Sequence, residues 1–366
     1  MNKLINLFFG FCIFLIAVPF NYFFENNFNA LPIQFLLCIF LSRSFFKLKL
    51  NNLFFLIFSF LVLIIVSNLD VISFTTSAVI ATFFIFWLII LSGNLKLPQK
   101  KFNKIVNNTL FFFGAMLIYF SVDFYLNNDL ESRSKGFGSG TIFSIIALYG
   151  FCAIYLRYSS KKLSLIKFIP LGLLFTIPIL ITQSRGVLVT LICVFFAIEF
   201  KSFKKINWSR ILLIFIIFGY FIFSSAVINR FDTSNYQDLN QLTSGRSKTQ
   251  FYILESFVTE SNWINILFGN GLNSIKILAS RGYEYPHFDL LFLIYEGGII
   301  LVLLYALTLF RVYKMFNNKL FFWIYFISSL HTNMIISPGF FFLSKILDNQ
   351  FNFKKYLNEY NTSLSN

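Results

Sequence analysis

A few side chains in this 366-residue chain have the type and setting to act on an anion or a hydroxyl. Arg185 stands in Thr182-Gln183-Ser184-Arg185-Gly186, a polar break between two apolar runs. A guanidinium offers a planar fork of donors that matches phosphate oxygens, and Gly186 allows close approach of backbone or ligand. The competing reading is an arginine that snorkels to lipid headgroups. Arg246, in Ser244-Gly245-Arg246, precedes an amphipathic stretch. It is either the solvated neighbour of a helix cap or part of an anion site at a helix N-terminus. Arg133, in Ser132-Arg133-Ser134-Lys135-Gly136, is a third cation of this kind; the glycines that follow make no Walker loop, because no GK[ST] completes it. His287 lies in Tyr285-Pro286-His287-Phe288-Asp289. An unperturbed imidazole, with a pKa of about 6.5, suits removal of a proton from a hydroxyl, whereas most lone histidines are structural. Asp289 and Glu296 could orient that imidazole or stand in for it. His331 falls inside an apolar run and reads as a packing residue.

Metal chemistry has no foothold in the pattern. No HExxH, DxD or outer carboxylate cluster occurs, and Cys12, Cys38, Cys152 and Cys193 sit in apolar runs without CxxC or Cys/His spacing. Phosphate charge would have to be met by arginines, so the expectation is a metal-free, cofactor-free site.

The elements that position these residues are membrane helices. The chain is 57% hydrophobic and 12% charged, with 55 phenylalanines, too little polar residue to solvate a soluble domain of this length. A crossing needs roughly 20 predominantly apolar residues. Such runs lie near 4–22, 31–42, 53–68, 74–93, 106–126, 142–157, 163–182, 186–200, 211–228, 289–310 and 320–337, with a shorter twelfth at 339–350 that carries Lys345 and Asp348 and reads as tilted or partly interfacial. The net charge of +15 does not signal nucleic acid. Its cations cluster after every second run, at Arg43 to Lys49, Lys96 to Lys104, Arg157 to Lys162, Lys201 to Arg210 and Arg311 to Lys319, which is the positive-inside pattern. Lys3 and the apolar run after it lack a small-x-small cleavage site before Asn21, so that run is expected to stay as a helix. The fold class expected is therefore all-α: a polytopic bundle of about 11–12 transmembrane helices forming one membrane domain over 1–366. One long outer loop, 229–288, interrupts it. Within that loop Phe251, Leu254, Phe257 and Val258 share a helical face that should pack on the membrane or the bundle, and Gly269-Asn270-Gly271 makes a turn.

Four segments taken in order, TQSRGVLVTL at a helix break, SGR opening the long loop, LFGNGL inside it and PHFDLLFLIYEGGIIL leading into the next helix, resemble the O-antigen ligase/O-antigen polymerase superfamily of bacterial envelope glycosyltransferases. The resemblance covers the topology of the whole chain; its motifs span about 182–300. It implies a multi-pass protein of the bacterial inner membrane whose substrate is an undecaprenyl-pyrophosphate-linked oligosaccharide, with the bilayer and a chain-length regulator as further partners and no nucleic acid. It implies that Arg185 and Arg246, with Arg133, bind the pyrophosphate, and that His287 takes or positions the proton of the acceptor hydroxyl. Phe288 departs from the Asn usual after that histidine, which leaves Asp289 as the substitute neighbour. The SGR opening and the Asn- and Phe-rich composition favour a polymerase of O-antigen or capsule over a ligase acting on lipid A-core. A flippase or other transporter is the rival from another class, and a non-catalytic scaffold a third.

Overall fold

The computed structural model describes residues 2–17, 31–48, 53–66, 74–127, 140–159, 162–182, 184–199, 246–259, 261–272, 274, 288–332, 334 and 338–350. Among them the chain is all-α apart from one short strand pair. The helices are α1 (Asn2–Ala17), α2 (Leu31–Phe45), α3 (Leu53–Val66), α4 (Phe74–Leu91), α5 (Gln99–Asn127), α6 (Gly140–Ser159), α7 (Leu165–Ile181), α8 (Arg185–Glu199), α9 (Arg246–Thr259), α10 (Trp263–Phe268), α11 (Asp289–Met315), α12 (Lys319–Ser329) and α13 (Pro338–Gln350). Each expected apolar run is helical over most of its described residues, though the run at 74–93 ends in extended backbone from Ser92, that at 289–310 is broken at Gly298, and that at 320–337 leaves the helix after Ser329. The run at 211–228 lies outside the described residues. Strands β1 (Phe46–Leu48) and β2 (Ser92–Leu95), absent from the sequence reading, pair antiparallel with Phe46 opposite Leu95 and Leu48 opposite Ser92. They extend the ends of α2 and α4, where Lys96 Nζ also donates to the Arg43 carbonyl at 2.7 Å.

The chain divides into two compact units. The first comprises Met1–Ile105 with Gln237–Asn352, and the second Val106–Tyr236 with Phe353–Asn366. The first unit packs α1–α4 and α9–α13 around aromatic contacts: the Phe86 ring meets Phe341 edge-on at 4.4 Å and lies 6.1 Å from Tyr305. Gly339 permits α13 to touch α1, since a Cβ there would stand 1.9 Å from the Ile16 carbonyl oxygen. In the second unit Gly150 serves α6 in the same way against the Phe175 ring of α7, and Tyr158 stacks on Phe168 at 4.4 Å. Small residues at such crossings let apolar helices approach when no solvent drives them together.

Two helical stretches, Gln99–Asp123 and Asp289–Met315, are long and apolar enough to cross a membrane by length and composition. Apolar residues also line outward faces. Leu4, Leu7, Phe8 and Phe11 form one such stripe on α1, and Phe111, Ile118, Tyr119, Val122 and Leu126 another on α5. Helices apolar on inner and outer faces alike are suited to an apolar surround.

The last helix differs from its expected interfacial character. Residues 339–350 are buried throughout, and Lys345 and Asp348 have partners within 4 Å. The Asp348 carboxylate accepts from the backbone N–H of Asn317 at 3.0 Å and from that of Asn318, just ahead of α12. Lys345 Nζ donates to Asp348 at 3.1 Å and to the Met315 carbonyl at the end of α11. One ion pair thus caps the end of one helix and the start of the next, where unsatisfied backbone groups need partners.

Candidate functional site

Among the described residues two of the four resemblance motifs, LFGNGL and the YEGG of the last, meet at a break inside α11. Gly298 has φ 63° and ψ −167°, a conformation open to glycine alone, and it divides the helix into legs at 289–297 and 299–315. The cause is packing as well as sequence. Gly269, which ends α10, has φ 76° and ψ −172°, and a Cβ on it would stand 2.3 Å from the carbonyl carbon and oxygen of Glu296. A Cβ on Gly298 would stand 2.4 Å from the Leu267 carbonyl oxygen and 2.6 Å from the Gly269 nitrogen. The LFGNGL turn and the YEGG break are therefore interlocked backbone to backbone, each glycine making room for the other segment.

That contact also supplies donors at the break. The Tyr295 carbonyl accepts from the backbone N–H of Asn270 at 3.0 Å and from its side-chain Nδ2 at 3.2 Å, and the Glu296 carbonyl accepts from the Gly271 N–H at 2.9 Å. Asn265 Nδ2 in turn donates to Asn270 Oδ1 at 3.2 Å. The loop acts as a cap on a helix that stops in the middle of an apolar run.

The two legs fold back on one another. Tyr305 Oη donates to Asp289 Oδ2 at 3.2 Å although the residues are 16 apart. A straight helix would separate them by about 24 Å, beyond the combined reach of the two side chains. The first leg is buried on nearly every side, whereas the second exposes Ile299, Leu303, Leu307 and Phe310 along one stripe. The span expected at 289–310 as a single crossing is, in its backbone, two helices.

Of the residues singled out in the sequence, Asp289 and Glu296 lie on the first leg two turns apart, both at 0% exposure. Both carboxylates are enclosed in this arrangement, a setting suited to holding neighbours. Arg133 and His287 lie outside the described residues, as do the side chains of Arg185 and Arg246, whose backbones open α8 and α9. Around α8 the polar break is satisfied locally: Thr182 Oγ1 donates to the Ile179 carbonyl at 2.8 Å, and the Leu188 N–H donates to the Ser184 carbonyl at 3.0 Å. On α9, Phe251, Leu254 and Val258 of the expected face are exposed and Phe257 is half-buried, so that face does not pack on the bundle and is left for the membrane, while Thr249 and Ile253 are buried.

Tyr305, Tyr325, Ser329 and Asn270 are the polar contributors that the sequence reading passed over. The Tyr325 and Ser329 side chains lie near Tyr305 and extend the polar line from Asp289. The available signal was Gly297-Gly298 in the middle of an apolar run, a pair that commonly marks a kink. No group of His, Cys, Asp and Glu able to hold a metal occurs among the described residues.

Comparison with protein families, with curated proteins and with solved structures finds no match for this chain.

Proposed function

We propose that the chain is a multi-pass inner-membrane glycosyltransferase that joins undecaprenyl-pyrophosphate-linked repeat units into an O-antigen or capsular polysaccharide on the outer face of the membrane. The supporting observation is the interlock of LFGNGL with YEGG. Two segments that the resemblance selects from separate parts of the sequence are in backbone contact, as segments framing one site would be. The outward apolar stripes, the long apolar helix Gln99–Asp123 and the alternation of cationic clusters support the bilayer and the sidedness.

In this reading an acceptor sugar hydroxyl attacks the anomeric carbon of the lipid-linked donor. A new carbon–oxygen bond forms, the bond to pyrophosphate breaks, and the hydroxyl proton passes to His287. Arg185 and Arg246, with Arg133, hold the departing pyrophosphate, whose growing negative charge fixed cations in a partly dry site stabilise. Asp289 and Glu296 support the segment around His287 without touching substrate.

One observation favours a transporter as second reading: a discontinuous helix beside buried carboxylates is a feature of transport sites. A deletion strain separates the readings. Loss of a polymerase leaves surface glycolipid bearing a single repeat, or no long capsule, with only short glycan on the lipid carrier. Loss of a ligase leaves a bare acceptor while long glycan accumulates on undecaprenyl pyrophosphate, and loss of a flippase leaves no repeat on the surface at all. Electrophoresis of the surface glycolipid beside the extracted lipid-linked pool reads the outcome. Long chains in that pool overturn the polymerase assignment, and unchanged glycans in both pools overturn the family reading.

A further inference from the structure

The first leg of α11 is too short to cross a bilayer. Residues 289–297 extend about 13 Å against a hydrocarbon core of about 30 Å. Its far end, at Gly298, meets the α10 turn, which belongs to the long loop between the cationic clusters Lys201–Arg210 and Arg311–Lys319. The second leg runs from that same point to Lys314, in the latter cluster. With the legs folded together, Asp289 comes level with Tyr305, about 10 Å along the second leg from the break. The carboxylate there is fully buried, tied to a Tyr305 ring that is itself packed on Phe83 and Phe86.

We propose that residues 289–297 are a re-entrant half-helix, and that Tyr305 is its positioning residue: by holding Asp289, two residues after His287 in sequence, it fixes the start of that half-helix below the outer membrane surface. The sidedness rests on the proposed function; the fold-back does not. A carboxylate buried inside an apolar unit is costly unless it is hydrogen-bonded, so a fixed phenol donor at that depth has a reason to be there. Tyr325 and Ser329 of α12 lie near the phenol and extend the polar line. Tyr305 acts through Asp289 and touches no substrate, which distinguishes it from a catalytic residue.

The test is a double-mutant cycle on thermal unfolding of the purified full chain in detergent, with Asp289→Ala, Tyr305→Phe and the two combined. Contacting residues are coupled, so the combined variant should lose no more Tm than the worse single variant. Additive losses would place the residues apart and overturn the hairpin. Should Asp289→Ala not fold, Asp289→Asn takes its place under the same comparison. The positioning role is read separately, with a lipid-linked single repeat unit as donor and acceptor. Tyr305→Phe keeps the ring packing and should lower kcat on the order of 10²-fold with KM unchanged. An unchanged kcat beside a coupled cycle overturns the positioning role alone. A wild-type chain inert toward that donor counts against the proposed function, while the cycle still decides the hairpin.

Discussion

A lysine and an arginine carry the same charge, but only the arginine presents a planar fork that can take two oxygens of one phosphate. This difference tests the assignment of Arg185 and Arg246. Arg185→Lys and Arg246→Lys should each lower glycan extension by at least about tenfold, since a charge-assisted bond is worth about 1.5–3 kcal/mol, while membrane abundance stays normal. Extension rates of both variants in membranes check it; parental rates would make the residues headgroup anchors instead. The sequence singles these arginines out because a cation between apolar runs is rare and costly, while their side chains lie outside what the structure describes. The role of Asp289 was only half legible. An acid after His287 marks polar chemistry, but its partner Tyr305 lies 16 residues on, where helical periodicity predicts no contact. Lys345 and Asp348 were legible as an anomaly in an apolar run, and their use in capping α11 and α12 became visible only in three dimensions.

Interlocked glycines govern the next scale. Gly269 and Gly298 each occupy a backbone conformation open to glycine alone, and each would drive a Cβ into backbone of the other segment. Gly269→Ala and Gly298→Ala should each destabilise the chain by about 1–3 kcal/mol or more. Their combination should cost less than the sum, because both release the same contact. Gly172→Ala is the control, for a Cβ there meets the Phe168 ring at an ordinary 3.5 Å and alanine favours a helix. Thermal unfolding of the four variants in detergent checks this, and a tolerated Gly298→Ala would contradict the break. Helix positions were well legible here because an apolar run has few alternatives to a helix. The break in α11 was not, because hydropathy averages over Gly297-Gly298 and sees one long span. The strand pair escaped for a related reason: Phe46–Leu48 and Ser92–Leu95 are short extensions of helices, too brief for an alternating pattern to register.

For the whole molecule, the proposed membrane setting rests on composition, charge alternation and outward apolar stripes together. The sequence could suggest this because lipid and water select residue types everywhere at once, whereas a boundary between two packed units leaves no such mark. A transferase in this setting must consume lipid-linked donor and release carrier in equal amount to the linkages it forms. The most direct measurement reconstitutes the purified chain in liposomes with an undecaprenyl-pyrophosphate-linked single repeat unit drawn from the source cell, followed by electrophoresis of the glycan and quantitation of free carrier. The account predicts lipid-linked ladders of two or more repeats, with one undecaprenyl pyrophosphate released for each linkage and none from the Arg185→Ala chain. Donor that stays a single unit, with no carrier released by the folded wild-type chain, would contradict it.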